Sequence, residues 1–472
     1  MPPRARAVQH WSVKVRQTRL TLVRASQQVA RPRPDRAGNA DLAFLAMGHG
    51  TVPEQFAAVL VLDADPGVAV VERTLAARAP SVRRLRQRLI GTPPGCGRPV
   101  WVDDADFDVR RHVRHLPCRP PGDLTALVDT ALTQVISPLS LNRPLWRAAY
   151  VTGLSGGGAA VVLVLHHVLA DGIGGLAILA DLVDGAAGSV PPPPAPAPST
   201  WQLAADAAVG RLQAIRRFPA GWRQFRESMT AGGGFLAPAA TRCSLLATTG
   251  RDRRAAIAEV ALPPVRIAAH AHGGTVNAAL LTAIAGGLCT LLHDRGETVD
   301  RISIALPVTA RHRATRAELG NQVSPLLLTV RGSGPLSERI REVATAVRRR
   351  RSQATGPAPI ALLGPAFRWF AAVGGYRWYL RRQHRLHTVV SFVRGPDTPI
   401  RIAGTRVRSI IPLGVGEAGN ITIAFQALSY ADTLTVTALA DPHRVSDLDN
   451  LMTALRSDLD RIAAAPLNMT EH

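Results

Sequence analysis

Val161-Val162-Leu163-Val164-Leu165-His166-His167-Val168-Leu169-Ala170-Asp171-Gly172 is the stretch on which the reading of this chain turns. Its five apolar residues have strand length and β-branched content, whereas Leu176, Leu179, Leu182 and Val183 recur at helical spacing beyond Asp171. The doubled histidine therefore falls on a strand-to-helix turn, from which side chains reach a cleft. Histidine is the side chain whose ordinary pKa lets it take and return a proton near neutrality, and acyl transfer needs a base to strip the attacking hydroxyl or thiol. A nearby carboxylate would fix the tautomer and orientation of such a ring. Asp171 is placed equally well to cap the helix that starts at Gly172, and the two roles are compatible. His166, facing away from His167 if the strand persists, reads as structural.

The chain around this motif has 472 residues, 46% of them hydrophobic, which exceeds the usual limit of one core and predicts two domains. No apolar run approaches the roughly 18 to 20 residues that span a bilayer, the longest being Ala278 to Cys289 and Ala159 to Leu165, so no transmembrane helix is expected. Cys96, Cys118, Cys243 and Cys289 are scattered without Cys-x-x-Cys pairing or histidines at ligand spacing, which speaks against a zinc site and a disulfide framework and for a cytoplasmic setting. The formal charge of +22 is almost all arginine, Lys14 being the only lysine. Heavy Ala, Arg and Pro usage accounts for part of that charge, so it is not a nucleic-acid footprint by itself.

Two basic stretches are less incidental because aromatic residues concentrate in them. Arg348 to Arg351 precedes Phe367-Arg368-Trp369-Phe370 and Tyr376-Arg377-Trp378-Tyr379-Leu380-Arg381-Arg382. The other runs from Arg211 through Arg216, Arg217, Phe218, Trp222, Arg223, Phe225 and Arg226. Basic amphipathic segments with Trp and Phe suit an anionic membrane or lipid-droplet surface, and no nucleic-acid recognition motif accompanies them. Solvated helix faces are the plainer alternative.

Residues 1–38 hold nine Lys or Arg and a single acid, Asp35, with no apolar core of a secretory signal, and read as a basic disordered extension. Folded sequence is expected over 39–189, carrying the histidine motif. The six prolines between Val190 and Pro198 open a linker, Pro-rich and then basic and irregular, that extends to residue 254. A second folded unit is expected over 255–472. Its strands are predicted at Ala258–Leu262, Ile302–Leu306, Leu326–Val330, Val389–Val393, Asn420–Ala424 and Thr433–Leu439, and its helices at Thr275–Leu288, Leu336–Arg351 and Ser446–Ala463. Loose alternation of strands and helices in both halves predicts an α/β fold of two sandwiches with a ligand cleft between them.

His-His-x-x-x-Asp-Gly at 166–172 resembles the active-site motif of the CoA-dependent acyltransferase superfamily. Ordered flanking segments resemble the bacterial wax ester synthase/acyl-CoA:diacylglycerol acyltransferase family in particular. These are Asp41-Leu42-Ala43-Phe44-Leu45, Arg86-Gln87-Arg88-Leu89, Pro99 to Asp104 with Asp106-Phe107-Asp108 and His112-Val113-Arg114, then Arg143-Pro144-Leu145-Trp146. In the second half they are Thr275-Val276-Asn277, Leu319 to Ser324, and Gly395-Pro396 ahead of Ile400 to Gly404. The match covers about residues 39–465. It implies two chloramphenicol-acetyltransferase-like α/β sandwich domains with the active site in a channel between them.

The resemblance also implies an O-acyltransferase that moves a long-chain acyl group from acyl-CoA, as co-substrate, to diacylglycerol or a long-chain alcohol at a membrane or lipid-droplet surface, with no metal and no bound cofactor. His167 would be the general base, with His166, Asp171 and Gly172 completing the motif. Asp171 would hold the turn, through Arg86 or Arg88. Pro144, Leu145, Trp146 and Asn277 are family-marked positions that also suit plain packing, and Asn321 or Ser324 would supply an oxyanion donor. Two positions depart from the family pattern: its Asn-Asp pair is Asn277-Ala278 here, and its Ser-Asn-Val-x-Gly-Pro segment is Ser391-Phe392-Val393-Arg394-Gly395-Pro396. Those losses keep a catalytically weak or silent lipid-binding paralogue open as an alternative. A condensation-type acyltransferase with another acceptor shares the histidine motif and is a third reading.

Overall fold

The computed structural model describes residues 33–48, 52–186, 193–230, 239–309, 323–353 and 359–464. Two six-stranded sheets form the frame. The first has the order β11-β12-β1-β6-β5-β4, from β1 (Gln55–Leu62), β4 (Val113–Pro117), β5 (Trp146–Thr152), β6 (Ala160–His166), β11 (Arg401–Ile402) and β12 (Thr405–Leu413). The second has the order β7-β14-β13-β10-β8-β9, from β7 (Arg254–Ala261), β8 (Arg301–Thr309), β9 (Val323–Arg331), β10 (Thr388–Arg394), β13 (Ile423–Tyr430) and β14 (Thr433–Ala440). A separate hairpin pairs β2 (Gln87–Ile90) with β3 (Val100–Asp103).

β6 carries the histidine motif. Every residue of β6 is buried, as expected for a strand covered on both faces. One face packs on the core that includes α3 (Leu124–Ile136), through Val162, Val164, Leu127 and Ala131. The other packs beneath α2 (Val68–Arg78) and α4 (Gly172–Leu182), through Leu163, Leu165, Val71, Leu75 and Ile178. Gly172 starts α4 because the Asp171 carboxylate accepts the Gly174 N–H at 2.9 Å, satisfying one of the donors that a helix start leaves open.

The second sheet is covered by α6 (Leu262–Ala271), α7 (Val276–Asp294), α8 (Leu336–Gln353) and α11 (Leu448–Ala464). α7 is long and apolar enough to cross a membrane, contrary to the expectation drawn from uninterrupted apolar runs, because its few polar residues break the run without lowering its mean hydropathy much. It is nonetheless mostly buried: Leu280, Leu281, Ile284 and Leu288 sit in the core with Leu451 and Leu455 of α11, the setting of a core helix.

The expected boundaries need three corrections. The second folded unit does not keep to its own sheet: β12 pairs antiparallel with β1, from Ala57 opposite Leu413 to Leu62 opposite Val407, so the C-terminal half completes the N-terminal sheet. The stretch expected to be irregular contains α5 (Thr200–Thr230). Its Ala-rich opening favours helix, and Leu203 is buried with Cys96, Val100 and Val102 beneath it. Of the basic extension expected over 1–38, residues 1–32 lie outside the described residues, yet its end is folded: Ala37 is fully buried, and Arg36 pairs with Asp206 of α5 at 2.5 Å. A smaller difference is that β13 begins at Ile423, because Asn420 and Thr422 are held by Gln383 and by the Leu245 carbonyl.

On the outside, α1 (Asn39–Met47) lies against α9 (Pro359–Ala372), with Ala43 buried beside Phe367 and Ala371. α10 (Gly375–Arg382) follows α9. From this layer Phe44 of α1 reaches the site.

Candidate active site

His167 is the first residue beyond β6, and its backbone N–H donates to the Glu54 carbonyl at 2.9 Å just ahead of β1. That bond fixes where the imidazole leaves the sheet. The ring is flanked by two phenyl rings, Phe44 of α1 stacked at 5.0 Å between centroids and Phe56 of β1 tilted at 4.7 Å. Burial lowers its pKa from 6.5 to about 4, against the raising influence of the Asp171 carboxylate and a backbone hydrogen bond at Ala170. The imidazole is therefore neutral at pH 7, the state in which a histidine can accept a proton.

It opens onto a cavity of about 310 Å³ lined from both sheets. Phe44, Phe56, Leu163, Leu165, Ile173 and Leu176 supply the wall from the first half, and Val389, Phe392, Val393, Phe425 and Leu428 that from the second. The halves approach closely where α4 begins: a Cβ on Gly172 would lie 2.9 Å from Val393 Cγ2, and one on Gly175 2.8 Å from the Phe56 ring. Glycine at both positions lets the helix start sit between the two sheets. A mostly apolar cavity with one neutral imidazole suits proton transfer to or from a group on a hydrophobic ligand.

The remaining motif residues divide. His166 is buried, its Nδ1 accepts the Val168 N–H at 3.0 Å, and burial takes its pKa down to about 3. It shapes the turn. Asp171 lines the cavity and caps α4. The expected link from Asp171 to Arg86 or Arg88 is not made: these arginines, at the β2–β3 hairpin, pair instead with Asp103 at 3.4 Å and Asp104 at 4.0 Å. Sequence neighbours across the hairpin outcompete a partner on another element.

Pro144, Leu145 and Trp146 are buried away from the cavity. The Trp146 indole donates to the Leu85 carbonyl at 2.7 Å and stacks on His112 at 4.5 Å, while the Leu145 carbonyl accepts the His166 N–H at 3.1 Å. This segment supports the motif strand from behind. Asn277 does not line the cavity either; it stands in the first turn of α7, capped by Thr275, and its Oδ1 is buried without a hydrogen-bond partner among the described residues. Ser324 belongs to β9 opposite Val308, and Asn321 lies outside the described residues. Of the two departures from the family pattern, Ala278 is a core residue and Phe392 lines the cavity.

Sequence reading did not single out Phe44 and Phe56 as neighbours of the imidazole, or Glu54 and Glu417, which also line the cavity. A glutamate just ahead of the apolar strand β1 was a usable signal for Glu54. Nothing local marked Glu417. Burial raises the Glu54 pKa to about 8, the nearby charge of Glu417 adding to the effect, and burial raises that of Glu417 to about 7 against the pull of Arg253. Among the described residues no three His, Cys, Asp or Glu are grouped to hold a metal ion.

Two family models cover most of the chain: the wax ester synthase/diacylglycerol acyltransferase catalytic domain over residues 38–280 and the WS/DGAT C-terminal domain over 319–463. A chain of Mycobacterium tuberculosis named as the diacylglycerol O-acyltransferase tgs1 is 30% identical over 448 residues, covering 91% of this chain and 92% of that one. Another from M. tuberculosis, also named as a diacylglycerol O-acyltransferase, is 29% identical over 437 residues, 86% of this chain and 91% of its own. Among solved structures, the wax ester synthase/diacylglycerol acyltransferase from Marinobacter aquaeolei VT8 superposes with a TM-score of 0.65 at 17% identity over 91% of this chain and 99% of that one. The first condensation domain of the CDA synthetase gives 0.61 at 19% over 92% and 97%. At such identities these two similarities speak for the fold, that of paired chloramphenicol-acetyltransferase-like domains.

Proposed function

The chain belongs to the wax ester synthase/diacylglycerol acyltransferase family, and from that premise we propose that it transfers a long-chain fatty acyl group from acyl-CoA to the hydroxyl of diacylglycerol or of a long-chain alcohol, with His167 as general base. The observation that carries this reading is the neutral imidazole of His167 at the wall of an apolar cavity lined by both sheets. The imidazole accepts the proton of the acceptor hydroxyl as the oxygen attacks the thioester carbonyl. Collapse of the tetrahedral intermediate breaks the C–S bond, and the departing thiolate takes the proton back from the imidazolium. One ester and one coenzyme A result, and no covalent acyl-enzyme is needed. Asp171 acts indirectly, by holding the turn and favouring the imidazolium that forms.

The setting for a lipid substrate is the helical layer that contains α1. Phe44 stacks on His167 from the inner side of α1, and α1 packs on α9. α9, α10 and the turn between them in turn expose Trp369 (70%), Val373 and Trp378, beside Arg381 and Arg382, and α5 exposes Trp201, Ile215 and Trp222. Arg217, Phe218 and Phe225 of the same basic aromatic stretch have side chains outside the described residues. Tryptophans among arginines match the interface of an anionic lipid surface, and peripheral attachment there would bring acceptor and acyl chain to the cavity.

The test is coenzyme A release from palmitoyl-CoA by wild-type and His167→Ala protein, with dioleoylglycerol or hexadecanol as acceptor and the lipid products identified. Acceptor-dependent ester formation that disappears in the variant is the expected result. Unchanged ester formation by the variant removes His167 as the base.

A further inference from the structure

Glu54 and Glu417 are the acids of the cavity that neither cap a helix nor form an ion pair with any described residue. They reach it from opposite halves. Glu54 precedes β1 and is anchored by its carbonyl to the His167 N–H. Glu417 sits on the loop after β12, whose backbone Arg253 clamps by donating to the Val415 and Glu417 carbonyls at 3.1 and 3.0 Å. Of the other polar lining groups, Gln55 bonds the Val135 and Ser137 carbonyls and the Leu139 N–H, Asp171 caps α4, and Ser391 and Gln426 are uncharged. An apolar cavity with two unengaged carboxyls beside the reactive imidazole is unsuited to a ligand that is hydrocarbon up to its hydroxyl, because each carboxyl would lose water and gain no partner.

We propose that Glu54 and Glu417 are specificity-determining residues, whose carboxyl O–H groups donate hydrogen bonds to an ester carbonyl adjacent to the reacting hydroxyl, so that a diacylglycerol is preferred over a simple alkanol. The inference rests on the acyltransferase reading above and assigns its acceptor. A carboxyl can donate only while protonated, and burial keeps both in that form further up the pH scale than an ordinary glutamate. After burial, the charge of Glu417 raises the Glu54 pKa further and Arg253 lowers that of Glu417; Tyr376 of α10, whose own pKa both glutamates raise, faces them, and His167 and Asp171 share the cavity.

The experiment measures kcat/KM with palmitoyl-CoA for dioleoylglycerol and for hexadecanol, from pH 6.5 to 9, in wild-type, Glu54→Gln, Glu54→Leu and Glu417→Leu proteins whose folding is verified by thermal melting. Loss of a donor predicts that Glu54→Leu and Glu417→Leu each shift the dioleoylglycerol-to-hexadecanol ratio about 10-fold toward hexadecanol, through KM for dioleoylglycerol. Glu54→Gln keeps an N–H donor and should hold the ratio near the wild-type value. The wild-type ratio should fall as pH rises through 7 to 9, and the fall should be shallower in Glu54→Gln. A ratio indifferent to the leucine substitutions and to pH overturns this proposal while leaving the acyltransferase reading intact. Wild-type protein that esterifies neither acceptor overturns both.

Discussion

Phe44 and His167 stack with ring centroids 5.0 Å apart and planes 21° from parallel, which joins an N-terminal helix to the motif at the end of β6. The contact excludes water from one face of the imidazole, and that desolvation is the main reason its pKa is low. Protonation must reach about pH 4 before the base is silenced. The pH profile of kcat/KM should therefore keep a plateau down to about pH 5, instead of declining below 6.5 as for an exposed histidine. Phe44→Ser should admit water and move the acid limb upward; a limb near 6.5 in wild-type protein would refute the buried-base geometry.

Asp171 has two separable effects, capping and charge. Asp171→Asn retains a good N-cap and loses the charge that favours protonated His167. It should melt close to wild type while losing roughly 10-fold in kcat, the equivalent of one pKa unit. Asp171→Ala should lose the cap as well, at about 1 kcal/mol of stability. Equal activity in wild type and Asp171→Asn would leave capping as its sole role.

Trp146 tests whether the Pro-Leu-Trp segment is packing. Trp146→Phe removes the donor to the Leu85 carbonyl and leaves that acceptor buried, which should destabilise by about 1–3 kcal/mol. Activity per folded molecule should stay within about 3-fold of wild type, since a residue whose loss acts only through packing contributes to stability and not to transition-state binding. A larger fall in kcat at full folding would assign the segment a direct part in the reaction.

Gly175 is where α4 passes the Phe56 ring, with 2.8 Å to the position a Cβ would take. Gly175→Ala must displace Phe56, one of the two rings against His167. Overpacking of this kind costs about 1–3 kcal/mol. The expected outcome is a lowered melting temperature with kcat reduced more than KM is raised, measured on both acceptors.

Stability should depend on pH in two opposed ways. Glu54 and Glu417 hold protons in the folded protein up to about 8 and 7, against an ordinary value of 4.5, so the folded state binds more protons between those limits and loses stability as pH rises through them. His166 and His167, folded at about 3 and 4 against 6.5, bind fewer protons when folded and lose stability as pH falls below 6.5. Glu54→Gln should consequently gain melting temperature over wild type at about pH 8 to 9 and little at about pH 5. A gain that is the same at both pH values would mean that Glu54 is not held protonated.

The strand-turn-helix around His167 was legible because it is local: β-branched content, a capping aspartate and helical spacing of leucines lie within one short stretch, and β6 and α4 run as those signals say. The helix α7 and the strands β8, β9, β10 and β14 were legible for the same reason. α5 was hidden by its basic composition, although its alanines favour helix. What the residues could not disclose by themselves was pairing at long range. β12 of the second half completes the first sheet beside β1; Phe44 and Phe56 meet at His167; Arg86 and Arg88 choose Asp103 and Asp104 over Asp171. The same crossing of halves brings Glu54 and Glu417 to one cavity and holds their protons there. Local backbone preference sets which segments are strands and helices, but burial and the partner on the far side of the cavity set the charge of each acid and base, and those exist only once distant segments have packed.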